Sequence, residues 1–246
     1  MALFLPFPAT QSRKWLRTEE GTQRKGRGLM DEYQIVEEDF NSKVKEMLSI
    51  LGERRRFFPL DLSSSALLVI DMQDFFLSEE SHAFVPSSKF IVPNVQALIE
   101  AYKKEGLPVV FSRHAHKGPE DLGMMGKWWS DPMMDDDPFT KISDSMNVGD
   151  SDILVRKTRY SMFHGTKLAD MLRDKGVKKV VITGVTTHLC CESTARAAFM
   201  LDFEVYSVID GTATWEDDMH LASLRTSSHG FSVPVTTKEV LEAIGG

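Results

Sequence analysis

Three side chains of different chemistry leave three separate apolar runs of the sequence. Asp71 follows residues 66–70, Lys157 follows 153–156, and Cys190 follows 179–183 across the turn Gly184-Val185-Thr186-Thr187. A thiol can attack a carbonyl carbon, and a carboxylate can take the thiol proton and later return it to a leaving amine. An ammonium can keep that carboxylate ionised and steady an anionic intermediate. Cys190 precedes the helically spaced Thr194, Ala197, Ala198 and Leu201. It is therefore expected in or beside a helix first turn, where backbone N–H groups and the helix dipole lower a thiol pKa. Each residue also has a plainer reading: a small buried hydrophobe for Cys190, a cap on the loop at Met72 for Asp71, a solvated basic turn for Lys157 between Arg156 and Arg159.

What joins the three is the architecture that the sequence implies. Short β-branched runs at 66–71, 108–113, 153–156, 179–183, 205–209 and 233–236 read as strands. Between them, Val95, Leu98, Ile99 and Tyr102, then Leu168, Met171 and Leu172, then Thr194, Ala197, Ala198 and Leu201 are spaced for one face of a helix. Near-continuously apolar strands separated by helices imply an α/β domain, a three-layer α/β/α sandwich on a mostly parallel six-stranded sheet. Ligands of such a sheet bind outside the carboxyl ends of its strands, and all three side chains leave there.

The expected boundaries are a flexible or extended segment at 1–38, an appended amphipathic helix at 39–56, and the main α/β domain at 57–246. Phe40, Val44, Met47, Leu48 and Leu51 give the helix an apolar stripe that packs on the domain or on a partner subunit, and Arg54, Arg55 and Arg56 break it. The apolar Met1–Phe7 stretch has no preceding basic region and is broken by Pro6 and Pro8, a poor secretory signal. Glu19 and Glu20 count against an organelle address; Met30 is an alternative start.

With 29 Lys+Arg against 36 Asp+Glu, the net charge of −7 gives no general reason to bind nucleic acid or anionic membrane. A small-molecule substrate or a protein partner is expected instead. No apolar stretch approaches the roughly 20 residues of a spanning helix. The adjacent Cys190 and Cys191 exclude a disulfide framework and fit a reducing cytoplasm.

The sequence resembles the isochorismatase-like cysteine hydrolases, among them nicotinamidases and N-carbamoylsarcosine, ureidoacrylate and biuret hydrolases. The resemblance covers residues 62–240 and rests on three motifs. They are Leu67-Leu68-Val69-Ile70-Asp71-Met72-Gln73 with Phe75 and Phe76; Lys157 with Tyr160-Ser161-Met162-Phe163 and Thr166-Lys167-Leu168; and Gly184-Val185-Thr186-Thr187 leading to Cys190 and Glu192-Ser193-Thr194-Ala195. It implies Cys190 as nucleophile, Asp71 as general base and acid, Lys157 as third member of a triad, and a cis peptide at Val185–Thr186. The same resemblance assigns an oxyanion hole to the N–H groups of Thr186 and Cys190 and implies a homodimer or homotetramer that needs no cofactor. The presence of Cys190 favours carbon–nitrogen cleavage through a thioester over vinyl ether hydrolysis, the activity of relatives that lack the cysteine.

Nicotinamidases carry an Asp-x-His metal motif, whereas this chain has Ser112-Arg113-His114-Ala115-His116, so no metal of that type is expected; His114 and His116 share a face in extended chain and could still ligate a metal, but two histidines without a third ligand more often serve in hydrogen bonding. His188 replaces an acidic residue often found two positions before the cysteine, and either alters the charge near the sulfur or points outward. Arg113, His116, Trp128 and Trp129 leave the second strand and are candidate substrate contacts, with Phe75, Phe76 and His82 behind them. The tryptophans suit a subunit interface equally well. Two further readings stay open: a vinyl ether hydrolase, or a catalytically silent member whose appended helix is a partner surface.

Overall fold

Six β-branched runs form one sheet in which every pairing is parallel, in the order β3-β2-β1-β4-β5-β6. The strands are β1 (Ser65–Ile70), β2 (Val109–His114), β3 (Ile153–Lys157), β4 (Lys179–Val185), β5 (Glu204–Ala213) and β6 (Val233–Val235), and the helices number α1 to α9 along the described residues, with the one-turn α2 (Asp74–Leu77), α4 (Pro119–Leu122) and α5 (Met125–Trp128) in loops after β1 and β2. A computed structural model describes residues 37–52 and 60–245. The segment expected at 1–38 lies outside the described residues but for its last two, and so do the arginines at 54–56.

Alternate residues of β1 feed two cores, as the period of a strand requires. Leu67 and Val69 pack with Ile91, Val95, Leu98 and Tyr102 of α3 (Ser88–Lys104) and with Val240 of α9 (Thr237–Gly245). Ala66, Leu68 and Ile70 pack with Leu168 and Leu172 of α6 (Leu168–Asp174) and with Ala195 and Ala198 of α7 (Glu192–Met200). Helices thus cover both faces, which is why β1 is buried throughout. Met171 is 37% exposed, not turned inward as its spacing suggests, because α6 spans only seven residues and rests on Leu168 and Leu172.

α1 (Glu37–Leu51) packs on the domain rather than standing apart. Phe40 stacks on Phe90 with centroids 5.4 Å apart, and Lys43 pairs with Asp217 of α8 (Asp217–Gly230). Its stripe of Phe40, Val44, Met47, Leu48 and Leu51 is half-buried. Among the described residues no helix is long and apolar enough to cross a membrane.

Candidate active site

Asp71 is the residue at which β1 stops. Its φ of 47° is a left-handed conformation that Asp tolerates better than most residues, and it turns the carboxylate sideways along the sheet edge. Ser112 of β2 fixes it twice: the Ser112 hydroxyl donates to Asp71 Oδ1 at 2.6 Å and accepts from the Asp71 N–H at 3.0 Å. Gly184 lies opposite Ile70 with φ of 107°, and a Cβ there would stand 2.1 Å from the Ile70 carbonyl oxygen. Only glycine lets β4 approach β1 so closely beside Asp71.

Lys157 ends the edge strand β3, two strands from β1. Neighbouring strands are about 4.8 Å apart, and the long lysine stem carries its charge across β2, where Nζ lies 3.5 Å from His114 Nδ1. Its Nζ lies 2.7 Å from Asp71 Oδ2, 3.1 Å from the Arg159 carbonyl oxygen and 3.5 Å from Cys190 Sγ. Cys190 sits in a single π turn, Thr187–Cys191, that runs directly into α7. The Val185–Thr186 peptide bond ahead of it is cis, and the Leu189 and Cys191 N–H groups both donate to the Thr186 carbonyl. A sulfur, a carboxylate and an ammonium from remote parts of the chain therefore meet in one place.

Burial pushes the Cys190 thiol up to about 12; the Asp71 charge adds to the rise and Lys157 opposes it. This corrects the expectation of a lowered thiol pKa: the helix start is present, but the sulfur is out of water beside a carboxylate. With the thiol raised in this way, attack calls for a base that takes its proton. For Lys157, burial disfavours the charge, but the Asp71 carboxylate beside it outweighs burial and raises the ammonium above its ordinary range.

A cavity of about 480 Å³ opens on Cys190. Phe75, Phe76, His116 and Trp129 line it, as the sequence suggested for substrate contacts. Arg113 does not. Strand alternation puts it on the face opposite Ser112 and His114, where its guanidinium is held by the Asp135 carboxylate, the Asp135 and Thr140 carbonyls and the Thr140 hydroxyl. Trp128 also stays out, 75% exposed, while Trp129 donates its indole N–H to the Tyr160 hydroxyl at 3.0 Å. His188 does not point outward: it lines the cavity, with Nδ1 2.9 Å from the Thr214 hydroxyl.

Sequence reasoning missed Trp215 and Met219. Trp215 follows the end of β5 and Met219 lies just beyond it in α8, whereas the sequence reading ended that strand at 209. The strand instead bulges, with its register to β4 shifting between Ile182 and Gly184, and continues to Ala213. Trp215 then faces Phe76 and His188 at 6.3 and 6.1 Å.

Among the described residues, one group of three could present metal ligands: Asp71, His114 and Cys190, with donor atoms within 4.8 Å of one another. The Lys157 ammonium already stands among them, 3.5 Å from His114 Nδ1, and would repel a second cation. The residues do not fit a metal ion.

Residues 65–239 match the isochorismatase domain family. The chain is 38% identical to nicotinamidase 3 of Arabidopsis thaliana over 185 residues, covering 74% of this chain and 89% of that protein. A cysteine hydrolase of Pseudomonas syringae pv. phaseolicola superposes with a TM-score of 0.75 at 27% identity, over 78% of this chain and 97% of the other. N-carbamoylsarcosine amidase of Thermoplasma acidophilum gives a TM-score of 0.63 at 26% identity, over 71% and 96%. The sheet edge that gathers Asp71, Lys157 and Cys190 falls wholly inside the matched span, and the chain belongs to the isochorismatase-like hydrolase family.

Proposed function

We propose that the protein is a cysteine amidohydrolase that cleaves a carbon–nitrogen bond of a small amide, ureido or N-carbamoyl compound through a thioester at Cys190. The observation that carries this reading is the Cys190 sulfur lying within reach of both Lys157 and Asp71 at the floor of a cavity wide enough for a small molecule. The names of the matched nicotinamidase and amidase support it.

Asp71 takes the thiol proton as the sulfur attacks the substrate carbonyl carbon, and the oxyanion is met by the Thr186 and Cys190 N–H groups. The carbon–nitrogen bond then breaks, Asp71 protonates the nitrogen, and ammonia or an amine leaves. Water attacks the thioester with Asp71 as base; the carbon–sulfur bond breaks, the sulfur regains its proton, and the acid is released. Throughout, Lys157 remains the countercharge that keeps Asp71 ionised between proton transfers.

The test is ammonia release from amides, ureas and N-carbamoyl amino acids by the wild type and by Cys190→Ala. Turnover by the wild type alone supports the reading. Vinyl ether hydrolysis that persists in Cys190→Ala, or no turnover of any compound, contradicts it.

A further inference from the structure

The turn that carries Cys190 hangs on α8 and on the residues just before it. The Thr187 hydroxyl lies 2.8 Å from His220 Nδ1, the Ser223 hydroxyl donates to the Thr187 carbonyl at 3.3 Å, and His188 Nδ1 lies 2.9 Å from the Thr214 hydroxyl. The His220 ring also bonds the Ile209 carbonyl, which only accepts, so the ring proton points there and Nδ1 takes the Thr187 hydroxyl proton. Three bonds thus fix Thr187 and His188, the first two residues of the π turn that ends in Cys190 and Cys191.

The segment 212–220 has two sides. Trp215 and Met219 line the cavity. On a helix Asp217 and His220 stand about 60° apart and Met219 about 200° from Asp217, so those two face away from the cavity together. There they meet α1. Lys43, Val44 and Met47 face Thr214, Asp217 and His220 across a gap of about 40 Å³, and Lys43 pairs with the Asp217 carboxylate. Phe40 stacks on Phe90 at the start of α3, and the Ser87 hydroxyl donates to the Thr214 carbonyl at 2.8 Å. α1 therefore ties the beginnings of α3 and α8 together, and it lies outside the residues 65–239 that match the family. The support matters because α8 buries one aliphatic residue, Leu224, beside His220, Ser223 and Ser227, so apolar packing alone holds it weakly. α1 also keeps water from His220, where it would compete for the Thr187 hydroxyl.

We propose that α1 is a positioning element of the active site: docked behind the segment 212–220 through Phe40, Lys43 and Val44, it holds in place the turn that aims the Cys190 sulfur. The inference rests on the amidohydrolase reading for what that sulfur does.

Phe40→Asp with Val44→Asp puts two charges into the docked face of the full-length chain and should release α1, which limited proteolysis within 37–51 reports. For an amide selected by ammonia release, kcat should fall about 10- to 100-fold, the cost of a misplaced nucleophile. Iodoacetamide should alkylate Cys190 about 10-fold faster or more, since a sulfur loosened into water ionises more readily. Phe40→Tyr with Val44→Ile keeps the face apolar and should match the wild type. Leu241→Ala, which removes packing from α9, should lower stability and move neither rate. Should the double aspartate variant unfold, Lys43→Met decides. Its half-exposed ion pair is worth at most about 1 kcal/mol, so the fold persists and both rates should shift in the same directions by about two- to fivefold. Wild-type rates with α1 released, the same changes in Leu241→Ala, or wild-type rates in Lys43→Met overturn the inference. Alkylation needs no turnover, so absent ammonia release by the wild type fails the hydrolase reading alone and leaves the alkylation rates to decide this one.

Discussion

Lys157 Nζ lies 2.7 Å from Asp71 Oδ2, and both side chains are completely removed from water. A buried pair of this kind stabilises little relative to an apolar pair, but removing one partner strands the other charge and costs about 3–5 kcal/mol. Lys157→Met is expected to lose that much unfolding free energy in urea denaturation, and the double variant with Asp71→Asn to regain most of it. A single variant within about 1 kcal/mol of wild type would show that the pair is not closed to solvent.

The thiol state of Cys190 follows from the same closeness. With its pKa pushed up to about 12 by burial, the sulfur keeps its proton in the folded protein well past the ordinary value of 9.0. The associated stability is fully present below that ordinary value and is lost as pH rises toward the folded one. Ultraviolet thiolate absorbance, taken as the difference between wild type and Cys190→Ser, should be absent at neutral pH. A thiolate signal there would mean that Lys157 dominates the sulfur's surroundings instead.

Gly184→Ala tests the strand contact that seats Asp71. The added methyl would meet the Ile70 carbonyl oxygen at 2.1 Å and force a φ of 107° on a residue with a side chain. A loss of about 3 kcal/mol or more is expected from backbone displaced in a packed core. Thermal unfolding measures it, and an unchanged midpoint would contradict the register of β1 and β4.

Acid should weaken the fold through histidines buried in neutral form. His220, whose Nδ1 lies 2.8 Å from the Thr187 hydroxyl, is lowered by burial from 6.5 to about 4. Between those values the unfolded chain takes up a proton that the folded chain refuses, so stability present above pH 6.5 is lost as pH falls toward 4. The loss is about 3 kcal/mol. Burial lowers His114, His116 and His188 in the same direction. His220→Asn should flatten the urea-derived stability profile across that window, and an unaltered slope would show that His220 is not the group that titrates.

The strands were legible as short β-branched runs, continuously apolar in β1 where both faces are covered, and Asp71 and Lys157 because they stand where such runs end, with Cys190 following β4 across a glycine-containing turn. α8 was not legible. It buries His220, Ser223, Leu224 and Ser227, a face with one aliphatic residue, which hydrophobic periodicity cannot detect. Arg113 and His114 were equally visible as exit residues of β2, and only the pleat decides between them. The arginine goes to the loop at Asp135 and Thr140, the histidine to the cavity. Trp215 was hidden by the bulge in β5, since Asp210 looks like a turn residue until its carboxylate is seen accepting from the Thr237 N–H and hydroxyl across the sheet end.

Intact-protein mass spectrometry of rapidly quenched turnover reaches the central claim most directly. With an amide selected by ammonia release, the wild type should gain the mass of the acyl group on the peptide containing Cys190, before the acid product accumulates. Cys190→Ala should gain none and release no ammonia. Steady ammonia release without an adduct, or with Cys190 replaced, would contradict a sulfur-borne intermediate at this site.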